Sequence, residues 1–184
     1  MSGNVMVLAE HTGKQISDST YELLGKAREL AAALGGVAEV ALLGPRDLAV
    51  QLGGADVVVS VDHPGLADYL PEGYEQALLA VIAERAPRLL LMSNATAGLD
   101  LGAALSVRWQ APLAAYVTDL AAEDGTIVAT AQILGGKILA EVEFRATAGS
   151  PPSSAAHSRP QRARAQERPR WWTSRRPPGW TPCG

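Results

Sequence analysis

The dipeptide Glu10-His11 directly follows the apolar run of residues 5–9. A continuous apolar run of this length predicts a central strand, and open parallel sheets hold their ligands at the carboxyl ends of such strands. A histidine exchanges protons near neutral pH, so the pair is a candidate acid/base site. Because no Ser, Cys or second carboxylate is fixed beside the pair, we favour a structural role in a strand-to-helix loop.

Residues 93–98, SNATAG, form the second candidate site. They run from a predicted strand at 89–92 into a predicted helix, where exposed backbone N–H groups and hydroxyls can hold an anion. By position this loop is the best ligand-site candidate. It has neither the GxGxxG spacing nor the Lys-Ser/Thr pair of a phosphate-binding loop, which favours a tight connection capped by Ser or Thr.

The other histidines and the cysteine add no candidate site. His63 precedes a turn proline, which is typical of a surface turn, and no histidine pair in the sequence has metal-ligand spacing. The single cysteine is Cys183, which excludes a disulfide framework, a cysteine metal cluster and a catalytic thiol from the first 150 residues. We therefore assign no catalytic, cofactor-binding or metal-ligating residue.

Apolar strands alternate with helices over the first two thirds of the chain, which predicts an α/β domain with a doubly wound, largely parallel, Rossmann-like sheet. Ser19 and Glu22 have the spacing of a capping box at the first helix. From Tyr116 onward three strand-like runs follow one another without a helix, and we expect this C-terminal β-meander to finish the sheet. The predicted strands are 5–9, 37–43, 57–61, 89–92, 116–120, 126–134 and 137–144.

Charge divides the chain into two parts. Residues 1–150 carry 9 basic and 18 acidic side chains, whereas residues 151–184 carry seven Arg and one Glu. An acidic domain argues against nucleic acid as a partner. No apolar run reaches the roughly 20 residues that span a bilayer, and no basic segment precedes the first apolar run, so we expect a cytoplasmic protein without membrane insertion.

The C-terminal part lacks the residues that build a core. Residues 151–184 contain no Ile, Leu, Val, Met, Phe or Tyr, but 7 of the 12 prolines. Such a segment cannot bury enough apolar surface to offset its chain entropy. We therefore expect one folded domain at 1–145 and a disordered Pro/Arg/Ser/Trp-rich tail at 146–184.

Four segments, in this order and spacing, resemble the N-terminal domain of the electron transfer flavoprotein alpha subunit. They are VMVLAEH at 5–11, ADVVV at 55–59, SNATAGLDLGAALSVR at 93–108 and QILGGKILAEV at 132–142. The resemblance is continuous from about residue 4 to residue 144. The chain departs from the family at Leu99, where the family commonly has Lys.

The resemblance implies an adenine nucleotide alpha hydrolase-like fold and a heterodimer with an electron transfer flavoprotein beta subunit. It also implies an electron carrier and not an enzyme. FAD would accept electrons from dehydrogenases and pass them to a respiratory or other acceptor, and AMP would lie in the beta subunit. The alternative is a freestanding adenine nucleotide-binding regulatory module that uses Glu10-His11 and residues 93–98.

The family holds FAD mainly on a C-terminal domain with motifs such as SGGRG and GQTG, and the chain contains neither motif. We therefore expect the FAD-binding domain to be missing and the chain alone not to hold FAD. When residues 146–160 are read back into GC-rich codons and the frame is shifted by one nucleotide, a permitted choice of third bases gives GDRGVATVLGGAFPA, which contains a strand-like segment. We interpret the tail as an out-of-frame product without persistent contact with the domain, and not as a nucleic-acid arm built on Arg and Trp171-Trp172.

Overall fold

The computed structural model describes residues 3–144 and the backbone of residues 180–183. Two 3-10 helices, Arg46–Leu52 and Pro64–Leu66, lie in the loops. The other elements, in chain order, are β1 (Val5–Ala9), β2 (His11–Thr12), β3 (Gln15–Ile16), α1 (Asp18–Leu34), β4 (Ala38–Leu43), β5 (Val57–Val61), α2 (Pro71–Arg85), β6 (Leu89–Leu91), α3 (Thr96–Arg108), β7 (Val117–Glu123), β8 (Thr126–Ile133), β9 (Ile138–Phe144) and β10 (Trp180–Cys183).

The central sheet has the order β10-β5-β4-β1-β6. Strands β5, β4, β1 and β6 are parallel, and every residue of β1 and β4 is buried. Continuous apolar runs form such strands because both faces of a parallel sheet are covered by helices. The chain order reverses between β1 and β6, so their carboxyl ends mark the switch point at which ligands bind in open α/β sheets.

Two apolar clusters cover the two faces of this sheet. One joins β1 and β4 to α1 and the Arg46–Leu52 helix, and the other joins the opposite faces of the same strands to α2 and α3. The doubly wound α/β fold predicted from the alternating strands and helices is therefore confirmed. No helix in the described part of the chain is long and apolar enough to cross a membrane.

Helix α1 begins two residues earlier than the capping box requires. Ser17 is its N-cap and makes no side-chain capping hydrogen bond, so the expected pairing of Ser19 with Glu22 is wrong. Ser19 is instead within 2.7 Å of the Ser17 hydroxyl. The predicted stop is correct, since Gly35 has φ 69°, a conformation that glycine adopts without strain.

The three C-terminal strands form the predicted meander, but they do not extend the parallel sheet. They make a separate antiparallel sheet of order β7-β8-β9. Leu120 and Ala122 of β7 pack against the cluster that includes α1, and Arg88 donates a hydrogen bond to the carbonyl of Gly125. The expectation that the meander finishes the sheet is wrong because the apolar face of β7 packs on a helix and leaves the edge of β6.

Part of the tail takes regular structure. Strand β10 pairs antiparallel with β5, so for these four residues the structure differs from the expectation of a disordered tail without contact to the domain. The physical reason is that β5 presents an edge, and an edge offers N–H and C=O groups to any extended segment. Pro182 is compatible with this place, because a proline is tolerated on an edge strand. The expectations for residues 145–179 and Gly184 lie outside the described residues.

A buried carboxylate joins three elements at the amino edge of the sheet. Glu39 of β4 is 0% exposed and receives hydrogen bonds from Arg85 Nη2 at 2.8 Å and Arg85 Nε at 3.2 Å. Asn4 Nδ2 donates to the same carboxylate at 2.8 Å. The nearby carboxylate raises the pKa of Arg85, which stays charged. Removing one partner of such a pair leaves an uncompensated buried charge.

We expect Arg85→Met to lower the free energy of unfolding by about 3–5 kcal/mol, because Glu39 then stays buried without its cation. Urea denaturation measures the change. The matched control is Lys26→Met, which breaks the more exposed ion pair with Glu29 and should cost about 0–1 kcal/mol. Equal losses in the two variants would contradict a stabilising role for the buried pair.

Candidate functional site at the carboxyl edge of the sheet

The structure brings the two candidate segments of the sequence into one site. Ser93 Oγ donates a hydrogen bond to Glu10 Oε1 at 2.6 Å. The contact follows from the pairing of β1 with β6, in which Val7 lies opposite Leu91. The expectation that no serine stands beside Glu10 is therefore wrong, because strand adjacency brings together residues that are 83 positions apart.

The first turn of α1 holds the backbone of Glu10. The Glu10 N–H donates to Thr20 Oγ1 at 3.0 Å, and the Glu10 carbonyl accepts from the N–H of Ser17 at 2.8 Å. Thr20 is buried, so these bonds lie away from solvent. Strand β1 and helix α1 thus fix the backbone of Glu10, and this fixed backbone holds the carboxylate within hydrogen-bond distance of the Ser93 hydroxyl.

His11 turns toward the neighbouring strand instead. Its Nε2 lies 3.0 Å from the carbonyl oxygen of Leu43, and because a carbonyl only accepts, Nε2 carries the proton. Gly44 permits this approach, since a Cβ there would lie 2.6 Å from Nε2. Glu10 and His11 therefore have different hydrogen-bond partners. Glu10 accepts from the Ser93 hydroxyl, whereas His11 donates to the backbone carbonyl of Leu43.

Tyr69 and Tyr74 pack against each other beside the carboxyl edge of the sheet. Their rings make a T-shaped contact, with 5.1 Å between the ring centroids. The Tyr74 hydroxyl lies 3.2 Å from the carbonyl of Leu43 and 3.3 Å from that of Leu66. Burial raises the pKa of Tyr74. Burial and the hydrogen bond to Asp100 raise the pKa of Tyr69. Both hydroxyls therefore stay protonated and act as hydrogen-bond donors.

The loop at residues 93–98 satisfies much of its polarity internally. Ser93 Oγ accepts from the N–H of Ala95 at 3.3 Å, and the carbonyl of Ala95 accepts from the N–H of Leu99 at 3.0 Å. The N-cap of α3 is Ala95, which makes no side-chain capping bond, so the serine caps the turn before the helix and not the helix itself. The connection is tight, as expected, but the serine hydroxyl accepts from the loop N–H of Ala95 and does not cap the helix.

Gly98 sets the close approach of α3 to the end of β6. A Cβ at this position would lie 2.0 Å from the carbonyl oxygen of Ser93, well inside van der Waals contact. Only glycine fits here without moving the loop. The Glu10 carboxylate, held against the Ser93 hydroxyl, also places negative charge where an anion would need to bind, and like charges repel. The geometry therefore favours a structural junction over a phosphate site.

His63 has the turn role that its sequence context predicts. Its Nδ1 accepts a hydrogen bond from the N–H of Gly65 at 3.0 Å, at the start of the Pro64–Leu66 helix. Within residues 3–144 no group of three or more His, Cys, Asp and Glu side chains could hold a metal ion.

A cavity of about 480 Å³ lies beside the site. Residues of β6 form one wall, and residues of α1, α3, the segment 109–119 and the meander form the others. Ser93 and Asn94 reach its rim. Sequence reasoning missed this cavity, because its walls come from segments that are far apart in the sequence. Two residues of the segment 109–119, Gln110 and Tyr116, have positive φ angles of 57° and 56°, which the sequence does not signal.

Fold and site together define a doubly wound, Rossmann-like α/β domain whose switch point is closed by its own side chains. The model of the electron transfer flavoprotein domain matches residues 5–148, and the chain belongs to that family.

Curated relatives agree with this assignment. The chain is 33% identical over 147 residues to Protein FixB of Azorhizobium caulinodans, covering 76% of the chain and 40% of the relative. It is 32% identical over 146 residues to electron transfer flavoprotein subunit alpha of Clostridium acetobutylicum, covering 75% and 43%. The third is the lactate dehydrogenase (NAD(+),ferredoxin) subunit LctC of Acetobacterium woodii, 32% identical over 143 residues, covering 75% and 34%. The chain thus spans less than half the length of these relatives.

We expect Gly98→Ala to destabilise the domain by about 1–3 kcal/mol, because the new methyl group overlaps the Ser93 carbonyl and forces the loop to shift. Thermal unfolding measures the loss. Gly25→Ala is the matched control: Gly25 lies in α1 with open space at its Cβ position, so alanine should stabilise the helix by up to about 1 kcal/mol. A neutral Gly98→Ala variant would show that the loop is not tightly held.

Proposed function

We propose that the chain provides the N-terminal domain of an electron transfer flavoprotein alpha subunit. The family match over residues 5–148 is the observation that carries this proposal. The complete carrier accepts electrons from dehydrogenases through FAD and passes them to a respiratory or other acceptor in the cytoplasm. A relative named as a lactate dehydrogenase subunit supports dehydrogenases as donors. The protein acts as a carrier and not as an enzyme with a substrate of its own.

Within this carrier the domain is a scaffold. Glu10 and Ser93 contact each other, and His11 contacts a backbone carbonyl, so we assign none of them to electron transfer. FAD is held by a separate alpha-subunit domain, and AMP lies in the beta subunit. The protein's part in flavin chemistry is to position and tune the cofactor, which a rigid domain supports through its contacts.

The tip of the β8-β9 hairpin is the surface that we propose for the beta subunit. Ile133, Leu134, Ile138 and Leu139 are all exposed there, with Leu134 at 71% and Leu139 at 64%. A cluster of exposed apolar side chains marks an interaction surface more often than single scattered ones do. The β8-β9 pairing holds the four side chains on one short hairpin.

A freestanding adenine nucleotide-binding module remains the second candidate function. The meeting of Glu10 and residues 93–98 at the switch point favours it, because nucleotides bind there in related folds. The contact between the Glu10 carboxylate and Ser93 disfavours a bound phosphate at the same place. Micromolar binding of ATP or AMP to the purified chain without a partner would favour the module.

We expect the purified full chain to be colourless, because no segment of it carries the SGGRG or GQTG motif of the flavin-binding domain. A visible absorption spectrum, with a known flavoprotein as the standard, tests this. A stoichiometric yellow cofactor would contradict the placement of FAD on another domain.

We expect the full chain to co-purify with the electron transfer flavoprotein beta subunit of the same genome. The double variant Leu134→Asp/Leu139→Asp should weaken this association at least about tenfold, because it puts charge into an apolar contact. Val50→Asp, at a still more exposed apolar residue outside the hairpin, is the control and should bind normally. Equal binding by both variants would remove the hairpin from the interface, and no binding by the unaltered chain would count against the carrier proposal.

A further inference from the structure

Strand β5 ends the central sheet within residues 3–144, and its sequence gives its outer edge no protection. The strand reads VVVSV, four β-branched residues and one serine, without charge or proline. Its register with β4 is continuous over all five residues, so no bulge bends the edge. Natural edge strands are short, charged, bent or interrupted by proline, because an unprotected edge pairs with other chains. The edge of β5 therefore has to be covered by another segment.

The pairing with β4 shows which backbone groups of β5 face this outer edge. Gly44, the residue after β4, donates its N–H to the carbonyl of Val61 at 3.0 Å. Val61 thus turns its backbone groups toward β4. Because the direction alternates along a strand, Val59 also faces β4, whereas Val58 and Ser60 direct their N–H and C=O groups to the outer edge.

Strand β10 supplies partners for these outward groups. It runs antiparallel to β5, with Thr181 opposite Ser60 and Cys183 opposite Val58. In an antiparallel ladder, residues that lie opposite and face each other exchange two hydrogen bonds. The N–H and C=O groups of both outward residues of β5 are therefore satisfied within the same chain.

Pro182 occupies the position of β10 where a missing N–H does no harm. It lies opposite Val59, which faces β4, so position 182 is turned away from β5. Its lack of an N–H thus costs the β5 ladder no hydrogen bond. On the outer side of β10 the proline removes a donor that a further strand would need. The segment therefore covers the edge of β5 without offering an equivalent edge in its place.

We propose that the edge of β5 is a self-association surface for a second copy of this chain, and that β10 caps it. The pairing of β10 shows that an antiparallel strand fits beside β5. Two β5 strands related by a twofold axis are also antiparallel, and such an interface uses the same surface on both copies. With Val59 opposite Val59 of the second copy, Val58 lies opposite Ser60, so outward groups meet outward groups along the whole strand.

The cap and the second copy differ in two physical respects. Because β10 belongs to the same chain, its pairing does not depend on protein concentration. The pairing of two copies does, and it places Asp56 of one copy opposite Asp62 of the other, where like charges repel. The four residues of β10 carry no charge. We therefore expect β10 to keep the full chain monomeric, and a chain without this cap to dimerise.

Sedimentation velocity over a range of protein concentrations tests the proposal, which does not rest on the electron-carrier function. We expect the unaltered chain to be a monomer, and the chain that lacks residues 180–184 to form dimers whose fraction rises with concentration. A deletion variant that stays monomeric at every concentration would overturn self-association. Equal dimer fractions with and without residues 180–184 would overturn the capping role of β10.

Two proline variants of the full chain test the register of the cap. Thr181→Pro removes an N–H that faces Ser60, so we expect it to release the cap and raise the dimer fraction. Trp180→Pro is the matched control, because Trp180 lies opposite Val61 and its N–H is turned away from β5. This variant should stay monomeric. Equal dimer fractions in the two variants would overturn the register.

Amide hydrogen exchange locates the surface residue by residue. We expect the amides of Val58 and Ser60 to be protected in the unaltered chain and to exchange faster in a dilute solution of the deletion variant. A higher concentration of that variant should restore their protection, whereas Val59, which bonds to β4, should stay protected throughout and shows that the sheet is folded. Dimers without protection of Val58 and Ser60, or with protection confined to the β8-β9 hairpin, would overturn the site.

A charge variant tests the register of the two copies. In the chain without residues 180–184, Asp62→Asn removes the repulsion with Asp56 of the second copy, and we expect the dimer to tighten about fivefold at low salt. Asp68→Asn is the matched control, since it removes one negative charge from an exposed residue outside β5. Equal dimer affinities in the two variants would overturn the pairing of Val59 with Val59.

Discussion

Complete burial of β1 is the constraint on which the rest of the structure depends. Its five residues are buried, and a buried backbone must pair its N–H and C=O groups. Strands β4 and β6 provide this pairing on the two edges, and the two helical layers cover the two faces. Polar side chains can then reach the sheet only at its ends. Glu39 meets Arg85 at the amino edge, and Glu10 meets Ser93 at the carboxyl edge.

The carboxyl edge shows how a ligand-binding position becomes a structural junction. In open α/β sheets this is where ligands bind, because backbone donors and loop side chains converge there. Here the Glu10 carboxylate accepts from the Ser93 hydroxyl, the Glu10 N–H donates to the Thr20 hydroxyl, and Gly98 allows the α3 backbone to approach the loop. The polar groups of such a site are satisfied without a small molecule. This agrees with the scaffold role that we propose for the domain.

The sequence predicts the elements of the fold much better than their spatial relations. The strands at 5–9 and 57–61 and the helical stop at Gly35 follow from local composition and turn chemistry, and the structure has them. The sequence could not show that Ser93 reaches Glu10, because that contact requires the order of the strands. Nor could it show that the meander leaves the sheet, since this depends on the packing of Leu120 and Ala122 against α1.

The edges of β6 in the central sheet and of β9 in the second sheet have no strand partner among residues 3–144. An exposed edge strand recruits other chains unless it is short, charged, bent or covered. Strand β6 is only three residues long, and residues of α1, α3 and the segment 109–119 line the cavity beside it. Strand β9, at the edge of the second sheet, places Glu141 and Glu143 on its exposed surface. Charge therefore protects the edge of β9, whereas the short edge of β6 is flanked by two helices and by residues 109–119.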